Sequence, residues 1–137
     1  MINTMPFLIF EGQCAEAMNF YHDCFGGELT ILKVEDTPMK AGLKEKDHKK
    51  VIYALLKNDM VEISATDWLH PTRQPKQGNT VAIYIEGSST GDLEKIFDKL
   101  SVGADQDLLD PLTAVPFGTY GHLADKFGVH WFFRSEK

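Results

Sequence analysis

A chain of 137 residues with 43% hydrophobic and 25% charged side chains is long enough, and balanced enough, to bury a core without disulfide or metal staples. Its formal charge of -6 repels phosphate backbones and anionic lipid, which argues against nucleic acid and membrane surfaces as partners. The N-terminus shows no basic and apolar leader, and no window approaches the roughly 18 apolar residues of a membrane span, so the protein is expected in the cytoplasm.

Phe7-Leu8-Ile9-Phe10 is a short apolar run closed by Glu11-Gly12, too short for a helix and suited to a buried strand. From Cys14 onward, Ala17, Phe20, Tyr21 and Cys24 fall at the spacing of one helix face, and Gly26-Gly27 supplies a stop. Cys14 and Cys24 then lie about 15 Å apart along one helix axis, beyond the roughly 7 Å limit for a disulfide, and are expected as reduced packing residues. Leu29 to Val34 and Val51 to Leu56 are β-prone. The lysine-rich stretch between them, residues 35–50, interleaves Lys40, Lys44, Lys46, Lys49 and Lys50 with Glu45 and Asp47 and carries no aromatic residue, the pattern of a solvated loop. Asn58-Asp59, two residues that tolerate the left-handed conformation, predict a hairpin into Met60-Val61-Glu62-Ile63, with the meander closing near Ala65.

Residues 67–79 hold Pro71, Pro75 and Gly78 without either periodicity and read as a connector between a first module, 1–66, and a second, 80–137. The order of elements then repeats. Thr80 to Ile85 is strand-like and exits through Glu86-Gly87, echoing Glu11-Gly12. Leu93, Ile96, Phe97 and Leu100 form a second helical stripe, with Ser88, Ser89 and Thr90 as N-cap oxygens and Asp92 in the first turn. Weak extended segments over 106–115, a strand at Tyr120 to Ala124 and the run His130-Trp131-Phe132-Phe133 end the chain in another hairpin. Two such α+β modules packed together enclose an apolar space that one alone leaves open to water.

Pro6-Phe7-Leu8-Ile9-Phe10-Glu11-Gly12, Glu16-Ala17, Phe20-Tyr21 and Phe25-Gly26-Gly27-Glu28 together resemble the opening of PhnB-like proteins in the glyoxalase and bleomycin-resistance group, the vicinal oxygen chelate superfamily. Phe117-Gly118, Tyr120-Gly121, Asp125, Phe127-Gly128 and Trp131 resemble the end of the same branch, with Lys126 standing where the branch usually has proline. The resemblance, from Pro6 to Phe133, implies a single domain of two βαβββ modules whose curled mixed sheets surround a cavity, and a homodimer. In metal-dependent members the ligands come from the first and last strands of each module. Carried over here, those positions fall on Pro6, Thr80, Ile63 and Phe132, none an imidazole or carboxylate of the kind a divalent metal takes. No cofactor is therefore expected.

The candidate lining of the cavity is Pro6, Leu8, Ile63, Thr80, Tyr84, Tyr120, Trp131 and Phe132, with Trp68 and Phe133 near it, a mainly aromatic set suited to a small apolar or aromatic molecule. An alternative is a metal-dependent lyase, isomerase or dioxygenase-like enzyme with a displaced site built from Glu62, His122 and His130, the two histidines meeting across the last hairpin. A second alternative is a dimer or partner-interaction module. No phosphate loop, nucleophile elbow or Rossmann fingerprint occurs. Some relatives of this branch carry a demethylubiquinone methyltransferase label, which a chain lacking the glycine-rich turn and repeated parallel βα units of a Rossmann-like methyltransferase does not support.

Overall fold

The computed structural model describes residues 1–137, which form two compact units, Met1–Lys76 and Gln77–Lys137. The first contains β1 (Phe7–Phe10), α1 (Cys14–Phe25), β2 (Glu28–Lys33), β3 (Val51–Lys57) and β4 (Glu62–Asp67). The second contains β5 (Ile83–Gly87), α2 (Thr90–Leu100), β6 (Asp110–Val115), β7 (Gly118–Ala124) and β8 (His130–Ser135). The units share one topology: strand order β1-β4-β3-β2 in the first and β5-β8-β7-β6 in the second, each with its first strand parallel to its last and the rest antiparallel. Each is a βαβββ module, and the mixed four-stranded sheets make this the glyoxalase and bleomycin-resistance fold. No helix is long and apolar enough to cross a membrane.

In the first unit α1 buries Cys14, Ala17, Met18, Tyr21, Cys24 and Phe25, a stripe spaced for one helix face. Burial of Met18 or Tyr21 alone is worth about 1.5–3 kcal/mol. Gly27, at φ +94°, follows the helix where an added Cβ would lie 2.6 Å from the Lys57 carbonyl oxygen, so the chain needs glycine there on both conformational and steric grounds. The sheet pleat turns Ile63, Ala65 and Asp67 of β4 toward α1, and Glu62, Ser64 and Thr66 the other way. The module also runs past the boundary expected at residue 66. Asp67 belongs to β4, and the Trp68 N–H donates to the Phe10 carbonyl.

The second unit repeats the plan. Phe97 of α2 meets Phe133 edge-on with centroids 5.0 Å apart, so Trp131, Phe133 and Ser135 form the helix-covered side of β8, all fully buried. The α2 N-terminus is capped at Ser89, one of the expected positions, with Asp92 in the first turn completing a capping box: the Asp92 carboxylate accepts from the Ser88 hydroxyl and the Ser89 N–H, and those bonds hold its pKa below the usual carboxylate value.

The hairpin after β3 is also built differently from the sequence expectation, since no residue other than glycine has a positive φ. Asn58 shapes the turn through its side chain, accepting from the Met60 and Val61 N–H groups at 2.7 and 2.9 Å. The lysine-rich segment is ordered into three short 3-10 turns at Val34–Asp36, Pro38–Gly42 and Glu45–Asp47. His48 pins it, donating through Nε2–H to the Lys40 and Leu43 carbonyls at 2.9 and 3.0 Å. The two cysteines form no disulfide and are buried, and desolvation, helped by the Asp67 carboxylate, pushes the Cys14 thiol up to about 12.

Candidate functional site

Each sheet has one face covered by its helix and one that carries no helix of its own unit. In the second unit the registers fix the residents of that free face. Tyr84 pairs with Phe132, Phe132 with His122, and Arg134 with Tyr120, while His130 follows one pleat away. Tyr84 is 54% exposed. The Tyr120 and Phe132 centroids lie 6.0 Å apart, those of His122 and Phe132 4.4 Å, and the two imidazoles stack at 5.2 Å. The result is an aromatic shelf with a polar corner.

That corner is the histidine pair. His122 Nε2 and His130 Nδ1 are 3.0 Å apart and share a hydrogen bond, while His122 Nδ1 sits 3.9 Å from the Asp110 carboxylate. Burial lowers the pKa of His122 and His130 lowers it further, against the opposing pull of Asp110. His122 is therefore held neutral near pH 7, available to accept a proton. Tyr120 is shifted up by its own burial and by Asp110, so its hydroxyl stays protonated. At the other end of the shelf Arg134 stacks its guanidinium 5.1 Å over the Phe117 ring, and its buried Nε–H has no hydrogen-bond partner.

The structure therefore brings together Tyr84, Tyr120, Phe132, His122 and His130 from the residues picked out in sequence. Others lie elsewhere. Trp131 and Ile63 are core residues on the helix-covered faces, and Leu8 pairs with Ala65 on the α1 side of the first sheet. Pro6 and Thr80 are exposed and precede β1 and β5, Pro6 offering its carbonyl to the N–H and hydroxyl of Ser64. Trp68 stands in the connector, stacked on His70, and Phe133 is core. Glu62 belongs to the first unit, where it accepts from Asn3 at 2.6 Å and lies 3.9 Å from Lys57.

The displacement of Ile63 has a definite cause. The turn before β4 spans residues 58–61, and the turn before β8 spans 125–129, one residue more. Aligning the hairpins without that extra residue slips β4 by one position and flips its faces. With the slip removed, Ser64 of β4 is the counterpart of Phe132, and by the same parallel registers Phe7 of β1 is the counterpart of Tyr84. The paired first- and last-strand positions on the free faces then carry three aromatic rings, Phe7, Tyr84 and Phe132, and the Ser64 hydroxyl. That set does not fit a divalent cation, and in neither unit do three or more His, Cys, Asp or Glu side chains converge as ligands.

A further feature was not anticipated from sequence. In the first unit the lysine-rich loop, the β1 exit and residues 68–74 enclose a cleft of about 440 Å³. Its signal was divided between Trp68, in the connector, and lysines more than fifteen positions earlier, and the spacing of neither points to the other.

Comparison with known proteins agrees with the fold. The family model described as 3-demethylubiquinone-9 3-methyltransferase matches residues 3–133. Protein PA1353 from Pseudomonas aeruginosa is 27% identical, with 99% of this chain and 98% of that one covered and a TM-score of 0.83. A putative 3-demethylubiquinone-9 3-methyltransferase, PhnB protein, from Bacillus cereus is 25% identical over 98% of this chain and 99% of that one, with a TM-score of 0.70. At 16% identity, the bleomycin-binding protein of Streptomyces verticillus shares the fold over 100% of this chain and 98% of its own, with a TM-score of 0.56. No curated protein sequence matches. With nearly the whole length matched by one family model and two mixed four-stranded sheets in place of a doubly wound parallel one, the chain belongs to the PhnB-like family described as 3-demethylubiquinone-9 3-methyltransferase, within the vicinal oxygen chelate superfamily.

Proposed function

We propose that this protein binds a small apolar or aromatic molecule on the free face of its second sheet, without the metal usual in the superfamily. The observation that supports this is the shelf itself: exposed Tyr84 and half-buried Tyr120 and Phe132 share one face, with the histidine pair at one end and Arg134 at the other. A flat ligand would stack on Phe132 and Tyr120, with one polar substituent toward the histidine pair or Arg134. Side chains at the fold's ligand positions favour this reading over the metal-dependent enzyme, because the histidine pair supplies two imidazoles and the nearby Asp110 approaches only one of them.

Quinoline, naphthalene and indole titrated against isotope-labelled protein test the proposal. Amide and ring signals of β7 and β8 should shift saturably, and Phe132→Ala should weaken binding by about tenfold, the order of one lost stacking contact. Absence of saturable shifts in β7 and β8 with all three probes would overturn it.

We also infer a homodimer. Phe7 and Ile9 lie on the free face of β1, an edge strand, at 51% and 45% exposure, and an edge bearing two large apolar side chains is a ready site for another chain. Sedimentation velocity should give twice the monomer mass, and Phe7→Glu with Ile9→Lys should return the monomer. A wild-type monomer across the accessible concentration range would dismiss the dimer while leaving the ligand proposal standing.

A further inference from the structure

The cleft in the first unit is lined by none of the shelf's residues and is built from three stretches distant in sequence: Glu11 at the β1 exit, residues 42–50 of the lysine-rich loop and residues 68–74. Its volume of about 440 Å³ falls within the range of small-molecule sites. The loop wall is held in place. His48 clamps the second 3-10 turn from within, the Val34 N–H donates to the Lys50 carbonyl at 2.9 Å, and the Thr37 hydroxyl donates to the Val34 carbonyl. The opposite wall is fixed as well. The Trp68 N–H is bonded to Phe10, its indole Nε1–H donates to the Arg73 carbonyl, and its ring is stacked on His70 with centroids 5.9 Å apart.

Charge in the cleft runs against the charge of the chain. The protein carries a formal -6, yet three lysines, Lys44, Lys46 and Lys50, line the space against two carboxylates, Glu11 and Asp47. Asp47 is engaged by Lys50 at 3.0 Å, and that contact, with Lys46 and Lys44 nearby, lowers its pKa. Lys44 and Lys46 have no carboxylate within ion-pair distance, so neither ammonium group is held by a direct partner in a cleft that Trp68 also lines. A solvated lysine loop alone would need neither the clamps nor the aromatic wall.

We propose that this cleft is a second binding site, for a small aromatic acid: a flat ring against Trp68 and a carboxylate between Lys44 and Lys46. Lysine recognises the anion as a point charge, and Trp68 supplies the apolar surface that gives the ring its place. Glu11, on the same rim, disfavours a second negative charge on the ligand, which restricts the site to monoanions.

Titration with 2-naphthoate, and with uncharged 2-naphthamide as the comparison, decides the matter in the intact chain. The indole N–H signal of Trp68, distinguishable from that of the buried Trp131, is expected to shift saturably with naphthoate. Affinity should fall by about fivefold in Lys44→Gln/Lys46→Gln, and should fall as salt is raised, as exposed ion pairs do. Both lysines are exposed, so the double variant keeps its fold, which an unchanged amide spectrum outside the loop will verify. Naphthoate that shifts only β7 and β8, binding unchanged in the double variant, or naphthamide binding as tightly as naphthoate would each overturn this site without touching the shelf.

Discussion

The two units share topology and element lengths but fasten their sheets at opposite ends. In the first, the buried carboxylate is Asp67, the last residue of β4. It accepts from the N–H groups of Gly12 and Cys14 at 2.9 Å and of Val51 at 2.8 Å, tying the β1–α1 junction and the start of β3 to one strand end. In the second, the corresponding strand end carries Ser135, whose hydroxyl donates to the Lys137 carbonyl. There the buried carboxylate has moved to the hairpin. Asp125 accepts from the Phe127 and Val129 N–H groups at 2.8 and 3.1 Å and from the Trp131 indole at 2.8 Å. At that place the first unit has Asn58. The difference teaches that this module needs buried acceptors for its loop N–H groups and is indifferent to which end of the last hairpin supplies the charge.

Removing Asp67 breaks the comparison most severely. Asp67→Ala strands three backbone N–H groups at once, and with each unsatisfied donor costing about 1–3 kcal/mol the expected loss is about 3–5 kcal/mol. Urea unfolding would show it as a lower midpoint at an unchanged slope. Asp67→Asn should recover part of the loss, since one amide oxygen can still accept from Gly12 and Cys14. A loss below about 1 kcal/mol for the alanine variant would mean that water replaces the carboxylate there.

The reciprocal swap of the hairpin residues sharpens the comparison. Asp125 only accepts, so Asp125→Asn turns an amide N–H₂ against either the indole N–H or the turn N–H groups; about 2–3 kcal/mol should be lost, with a change in Trp131 fluorescence. Asn58 both accepts and donates, its Nδ2 reaching the Phe25 carbonyl at the α1 C-terminus at 2.8 Å. Asn58→Asp keeps the turn and sets a carboxylate against the negative end of the helix, so about 1–2 kcal/mol should be lost at neutral pH. If both swaps proved neutral, the two turns would be interchangeable and the assignment of acceptor and donor roles wrong.

These particulars also show what the sequence carried. Strand and helix identity followed from apolar periodicity because burial under α1 and α2 imposes it, and the family resemblance rested on the glycine and aromatic positions that the turns and cores require. The free face of the second unit was legible through Tyr84, Tyr120 and Phe132, and so was the approach of His122 to His130, because strand register follows once the hairpin is placed. Ile63 was misplaced because one additional residue in the second turn is invisible without coordinates, and strand faces invert with a slip of one. Asp67 lay at the start of what read as a connector, since a strand-end carboxylate bonded to three distant N–H groups leaves no periodic trace. The cleft depended on a pairing of loop and connector that no local pattern encodes.

The smallest expected effect concerns the polar corner, which only the second unit possesses. His122 is pulled down from its ordinary value of 6.5, first by burial and then by His130, while Asp110 opposes both. A histidine whose folded pKa lies below its unfolded one binds more protons when unfolded, so its contribution to stability is fully present above the unfolded value. That contribution is lost as pH falls below about 6.5 toward the folded pKa, and no further loss follows beneath it. The Cε1 proton of His122 should titrate by NMR with a midpoint below that of a model peptide. Asp110→Asn should lower the midpoint further, and His130→Phe, which removes the neighbouring imidazole and the shared hydrogen bond, should raise it. Opposite movements in the two variants are the signature of an imidazole poised between a second imidazole and a carboxylate, whereas equal and parallel shifts would reduce the corner to burial alone.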